Sequence, residues 1–280
     1  MSVVEARHLT RNFADVVAVD DLSFVVSAGE IVGLLGANGA GKTTTMRILL
    51  GLLPPTGGEV LIGGDPVHRV DRRTIGYVPQ GLGLYRDLTV AENLAFAAAA
   101  FGVPVPSLDD AGLDDVADRR VGDISLGLRR RAAFAVARCH EPSVLVLDEP
   151  TSGVGPLGRT RLWETIHETA ESGAAVLVST HYMEEAEECD RVVLMAGGRE
   201  VASGSVSDVI GTATSIALTG EVSSEAMETM TRAGGTVLSA GNGWRVVGLG
   251  LDEVRPIAGS AAEAREVPAS FEEAFVALSR

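Results

Sequence analysis

Eight consecutive residues, Gly36-Ala37-Asn38-Gly39-Ala40-Gly41-Lys42-Thr43, fit the pattern G-x-x-x-x-G-K-[ST]. Small residues let successive backbone N–H groups turn inward as an anion nest. A helix starting at the end of the loop adds its partial positive charge. Lys42 would then reach the β- and γ-phosphates of a nucleotide, and the Thr43 hydroxyl would ligate Mg²⁺ beside water and phosphate oxygens. Lys42 is the only lysine among 23 Lys and Arg residues. A planar guanidinium cannot replace a compact ammonium inside a nest, so the exception falls where chemistry requires it.

A second chemical feature is Asp148-Glu149, which follows the apolar run Val144 to Leu147. Alone, an Asp-Glu pair at a strand end is usually an ordinary solvated pair. On a parallel sheet, however, ligands sit at the carboxyl ends of strands, so this pair and the phosphate loop can converge. Asp148 would hold Mg²⁺ through water, and Glu149 would polarise an attacking water.

These residues need a scaffold. Glu30 to Leu35 reads as a short apolar strand running into the Gly-rich loop, and Thr43 to Leu52 as the helix after it. The first thirty-five residues otherwise read as short strands, Val16 to Val19 and Leu22 to Val26 among them. Glu59 to Ile62 and Thr74 to Val78 read as strands. Leu88 to Gly102, Arg129 to His140 and Arg159 to Ser172 read as helices. Val144 to Leu147 and Ala174 to Ser179 are apolar runs of the kind covered on both faces in a parallel sheet. Met183 to Cys189 reads as a helical turn or two, and Arg191 to Met195 as the last strand of this block. From about Thr212 the texture changes. Ser215 to Leu218, Thr236 to Ser239 and Trp244 to Val247 read as strands, and Ser224 to Ala233, Leu251 to Ile257 and Ser270 to Leu278 as helices. The expectation is an α/β domain over 1–211 and a small α+β domain over 212–280.

With the phosphate loop and acidic pair in this order, the chain resembles a nucleotide-binding domain of the ABC family over about residues 3 to 210. Three further elements match. Gln80, in Ile75-Gly76-Tyr77-Val78-Pro79-Gln80, resembles the Q-loop glutamine, which touches Mg²⁺ or the water. His181 resembles the switch histidine that contacts the γ-phosphate. Phe13 stands where the family places an aromatic that stacks on adenine. The resemblance implies a P-loop NTPase fold with a parallel core sheet, an antiparallel β subdomain and a short helical subdomain. It implies a catalytic set of Glu149, His181, Gln80 and Lys42. It implies ATP bound by Phe13, Asn38, Gly39, Ala40, Gly41, Lys42, Thr43, Thr44, Ser125 and Gly127, with Mg²⁺ at Thr43, Gln80 and Asp148.

Two segments depart from the family pattern. The Leu-Ser-Gly-Gly-Gln signature reads Ile124-Ser125-Leu126-Gly127-Leu128, and the usual Ser-Gly-Leu-Asp-Pro reads Ser152-Gly153-Val154-Gly155-Pro156. Both belong to the face the resemblance presents to a partner's nucleotide, so a defect in trans is an expectation. The stretch from Gln80 to Ser125 is about one helix shorter than the family's, which puts the usual groove for a membrane partner in doubt.

Composition bounds the function. A net charge of −15 opposes nucleic-acid binding, and Arg129-Arg130-Arg131 reads as capping or surrounding the phosphate-facing helix. Cys139 and Cys189 have no metal-like spacing, which predicts a reduced cytosolic setting. No run of eighteen apolar residues and no leader-like segment is read. The tail Val267 to Phe275 resembles that of single-domain ATPase subunits of ABC-2-type exporters. The resemblance therefore implies a cytoplasmic motor, peripheral at the inner face of the cell membrane. Its partners would be an integral membrane permease and a second nucleotide-binding domain, in a homo- or heterodimer. The competing reading is a nucleotide-gated regulatory subunit with little turnover, favoured by Leu126 and Gly155 and opposed by Glu149 and His181.

Overall fold

The structure, a computed structural model, describes residues 2–211 and 213–278. Thr212, the expected domain boundary, lies outside the described residues, as do Met1, Ser279 and Arg280. Among the described residues, fourteen strands and eight α-helices follow in chain order. β1 (Ser2–Phe13) and β2 (Val16–Ser27) open the chain and α1 (Lys42–Leu49) follows β3 (Ile31–Leu35). Next come β4 (Gly57–Ile62), β5 (Asp65–Pro66), β6 (Ile75–Val78), α2 (Val90–Phe101) and α3 (Leu126–Arg138). β7 (Val144–Asp148), α4 (Pro156–Glu171), β8 (Ala175–Thr180), β9 (Arg191–Ala196), β10 (Arg199–Gly204) and α5 (Val206–Gly211) complete the first block. β11 (Thr214–Gly220), α6 (Ser224–Arg232), β12 (Thr236–Ala240), β13 (Gly243–Val247), α7 (Leu251–Ala258), β14 (Ala262–Pro268) and α8 (Phe271–Leu278) form the last.

Three sheets result. The central one has the order β10-β9-β3-β8-β7-β6. The five strands from β9 to β6 run parallel, and β10 closes one edge antiparallel to β9. β3, β7 and β8 are buried along their whole length, as Val- and Leu-rich strands covered on both faces must be. One core packs this sheet against the antiparallel sheet β2-β1-β4-β5 and α1. A second fills the opposite face with α3, α4 and α5. The third sheet, β12-β13-β11-β14, has the βαββαβ order of a ferredoxin-like unit and its own core under α6 and α7.

Several expectations change here. β1 and β2 are 12-residue strands, longer than the short strands read from the sequence. They are bent at bulges where His8 and Asp21 take positive φ. Arg191–Ala196 is not the last strand of its block: Gly197 and Gly198, both at positive φ, turn the chain into β10. The helical turn or two read at Met183 to Cys189 is there, as a 3-10 helix over Met183–Glu188. β14 was not expected at all, because its one strictly buried residue, Ala264, gives almost no alternation.

Helix ends follow local chemistry. Thr89 and Glu92 form a reciprocal capping box at α2, which stops at Gly102 in the left-handed region. Ser125 caps α3, and Pro156 takes the first turn of α4.

Candidate nucleotide site

The loop between β3 and α1 is shaped by its glycines. A β-carbon on Gly36 would stand 2.3 Å from Met195 O, and one on Gly41, at φ +103°, 2.4 Å from Ala18 O. Gly39, at φ +86°, faces open space instead. No side chain caps α1 at Gly41, so the first N–H groups of the helix are left for another acceptor. Lys42 is buried, and its ammonium donates to Gly36 O at 2.6 Å and Ala37 O at 3.1 Å. Burial pulls its pKa down, against the raising effect of Glu149 and Asp148. Ala37, Asn38 and Gly39 are exposed at the loop's mouth, Ala40 is buried beneath them, and Thr44 is half-buried on α1.

The adjacent parallel strands bring the acidic pair to this loop. Thr43 donates to Asp148 Oδ1 at 3.3 Å. Asp148 is buried, and the Ser179 hydroxyl at the end of β8 donates to the same oxygen at 2.6 Å. Ser179 Oγ also accepts from Glu149 N–H at 3.0 Å. Glu149 has φ +49°, an unusual conformation for a non-glycine residue. Its carboxylate accepts from Gln80 Nε2 at 3.2 Å, and its other oxygen lies 3.2 Å from His181 Nδ1. The His181 contact is one of proximity: that nitrogen is buried and lacks a hydrogen bond among the described residues.

Lys42, Thr43, Gln80, Asp148, Glu149 and His181 thus form one cluster. Phe13 sits apart from it on the antiparallel sheet, 43% exposed, with the Arg11 guanidinium 4.5 Å over its ring. Ser125 is exposed and accepts from Leu128 N–H at 3.4 Å. Neither it nor Gly127 hydrogen-bonds the cluster among the described residues. Ser179 is the residue sequence reading missed. Its signal was a polar residue closing an apolar strand beside the acidic pair.

The three consecutive arginines serve the backbone. Arg129 donates to Ile124 O and Gly122 O, Arg130 to Glu149 O and Ser152 O, and Arg131 to Ala111 O.

A Gly-rich loop opening onto an uncapped helix N-terminus, beside a hydroxyl–carboxylate pair and a glutamate flanked by glutamine and histidine, defines a P-loop nucleotide-binding cassette. The chain belongs to the ABC transporter family. The family model described as "ABC transporter" matches residues 19–152. The Nod factor export ATP-binding protein I of Burkholderia lata is 43% identical over 213 residues, covering 72% of this chain and 70% of that protein. The probable multidrug ABC transporter ATP-binding protein YbhF of Escherichia coli is 42% identical over 219 residues. That match covers 74% of this chain but only 38% of the relative, so the chain corresponds to part of a longer protein there. A solved ATP-binding subunit of an ABC transporter superposes with a TM-score of 0.69 at 31% identity, covering 75% of this chain and 93% of that one.

Proposed function

We propose that the chain is the ATP-binding and ATP-hydrolysing motor of an ABC exporter, working beside a separate membrane-spanning subunit. The observation that carries this is the convergence of Gln80 and His181 on the carboxylate of Glu149, next to Lys42 and Thr43. In this reading Lys42 and the loop N–H groups of Asn38 to Thr44 bind the β- and γ-phosphates, and Phe13 stacks on adenine with its free face. Glu149 accepts a proton from the attacking water, Gln80 orients that water, and His181 contacts the γ-phosphate.

The residues also suit Mg²⁺. Thr43 and Asp148 present hard oxygens to one another across 3.3 Å. Among the described residues no three His, Cys, Asp or Glu side chains gather as a metal site, so the ion would arrive with the nucleotide and rest also on its oxygens. When bound it supplies neutralisation of phosphate charge.

Export is supported by the names of the two relatives, a Nod factor export protein and a probable multidrug transporter subunit. Among the described residues no helix is long and apolar enough to cross a membrane, which is consistent with a partner that does so. We assign the chain to the cytoplasmic side of the cell membrane, and Ser125 and Gly127 to the nucleotide of a second cassette. We divide the chain into a nucleotide-binding domain, 1–211, and an accessory domain, 212–280.

Steady-state ATPase of the purified chain with Mg²⁺, beside Glu149→Gln, tests the reading. Turnover that rises with protein concentration and vanishes in Glu149→Gln is expected. ATP binding with turnover indifferent to Glu149 would instead support a nucleotide-gated regulatory subunit.

A further inference from the structure

Behind Glu149, away from the phosphate loop, lies a buried polar group that the hydrolytic set does not use. Arg130, 4% exposed, sits one turn into α3, the helix that Ser125 caps. Its Nη1 donates to Glu149 O at 2.9 Å and its Nη2 to Ser152 O at 2.5 Å. Burial pulls its pKa down, while the charges of Glu149, Glu185 and Tyr182 raise it. Arg130 Nε is buried with no hydrogen-bond partner among the described residues. Beside it, buried Thr151 donates to Glu185, which follows His181 in the chain.

A side chain that only filled this space would be better apolar, since a buried guanidinium with an unpaired donor costs stability. What the guanidinium does is hold a turn. Glu149 at φ +49° persists only where its surroundings over-determine it. Its N–H is fixed by Ser179, through both the carbonyl at 3.2 Å and the hydroxyl at 3.0 Å. Its C=O is fixed by Arg130, whose planar fork spans two carbonyls three residues apart. The direction of the Glu149 carboxylate follows from that backbone.

We propose that Arg130 is a positioning residue for Glu149, tying the backbone of the hydrolytic carboxylate to the helix capped by Ser125. The proposal rests on the reading of Glu149 as the group that activates water. Movement of α3 is carried to the turn from Glu149 to Ser152 through one hydrogen bond at each end of it, rather than through bound nucleotide.

The test uses the full chain and three variants: Arg130→Met, Arg130→Lys and Glu149→Gln. In Arg130→Met, kcat falls on the order of tenfold to a hundredfold, while the affinity for a non-hydrolysable ATP analogue stays within about twofold. Arg130→Lys, whose single ammonium can serve only one of the carbonyls well, restores part of the loss. Hydrogen exchange of the backbone amides at 149 and 151–154 speeds up in both variants, while that of α3 does not. This second readout decides the matter even if the isolated chain turns over too slowly to compare, and Arg130→Lys decides it if Arg130→Met does not fold. Unchanged kcat with unchanged exchange overturns the proposal, as does parallel loss of turnover and binding with no rescue by lysine. Should Glu149→Gln keep full turnover, it is the assignment of Glu149 that fails, and the exchange data still report whether Arg130 holds the turn.

Discussion

Leu126 folds over Gly153: a β-carbon on Gly153 would stand 3.0 Å from Leu126 Cδ2. The two positions belong to the two segments that depart from the family pattern, and the structure shows them meeting. Gly153 takes φ +75°, and a β-carbon on Gly127 would meet open space. The leucine side chain is therefore directed at the turn after the acidic pair and not into the open space beside half-buried Gly127. Leu126→Gly is expected to change kcat by less than about tenfold, under ~1.4 kcal/mol of barrier, in a steady-state assay. Gly153→Ala is expected to cost about 1–2 kcal/mol from its backbone conformation. Part of any excess should return in the double variant with Leu126→Ala, as read by thermal or urea unfolding.

Ser179→Ala is expected to impair turnover more than folding. The hydroxyl serves both Asp148 and the Glu149 N–H, while the Ser179 carbonyl still reaches that N–H at 3.2 Å. Stability should drop by about 1–3 kcal/mol, the range for a buried polar partner removed. The decisive comparison is Ser179→Thr, which keeps the hydroxyl. Its turnover should exceed that of the alanine variant, and equal losses would count against the role.

Gly155 precedes α4 with extended backbone, makes no side-chain cap, and has open space where a β-carbon would go. Gly155→Asp should therefore fit without strain and stabilise the helix start by a few tenths of a kcal/mol, on the order of the Gly-to-Asp difference at an N-cap. A small rise in Tm checks this. A fall would mean that the turn cannot accept the aspartate usual in the family.

His140 stacks on Phe101 at 3.7 Å and lies 3.2 Å from Ile75 O through Nε2. Burial holds its pKa below the ordinary 6.5, against the opposing effect of the Ile75 carbonyl. The unfolded chain then binds this proton more readily than the folded one. Stability is lost as pH falls below about 6.5 toward the folded pKa, and is unaffected by this group above that range. Plots of Tm against pH for the wild type and His140→Gln should converge on acidification, with the flatter slope in the variant.

The parts of the fold that local chemistry decides could be read from the chain. The loop, the flanking β3 and α1, and the apolar run before Asp148 each carry their own pattern, because a wholly buried parallel strand must be apolar throughout. What escaped reading depended on pairing. β10 has no apolar run and exists because Gly197-Gly198 returns the chain along β9. β14 is held by its register along β11 from Thr214 to Gly220. In the site, residue types and strand context pointed to Asp148 and Glu149, and the family resemblance added Gln80 and His181. Ser179 and Arg130 act through the backbone of Glu149, and nothing in their spacing shows that a positive-φ turn needs holding. The arginine run is legible only as a cluster of charge until each guanidinium is seen to find a carbonyl.

α8 places Phe271 and Ala274 in the second core, among residues as early as Ile31 and Leu35. Emergence from the ribosome runs from the first strand to the last helix. The face of the central sheet opposite α1 thus waits for residues about 240 positions after Ile31 before α8 covers it. Until then it offers apolar surface to whatever is near, so a nascent chain stalled before residue 271 would be a client for chaperones rather than a finished cassette lacking only a tail.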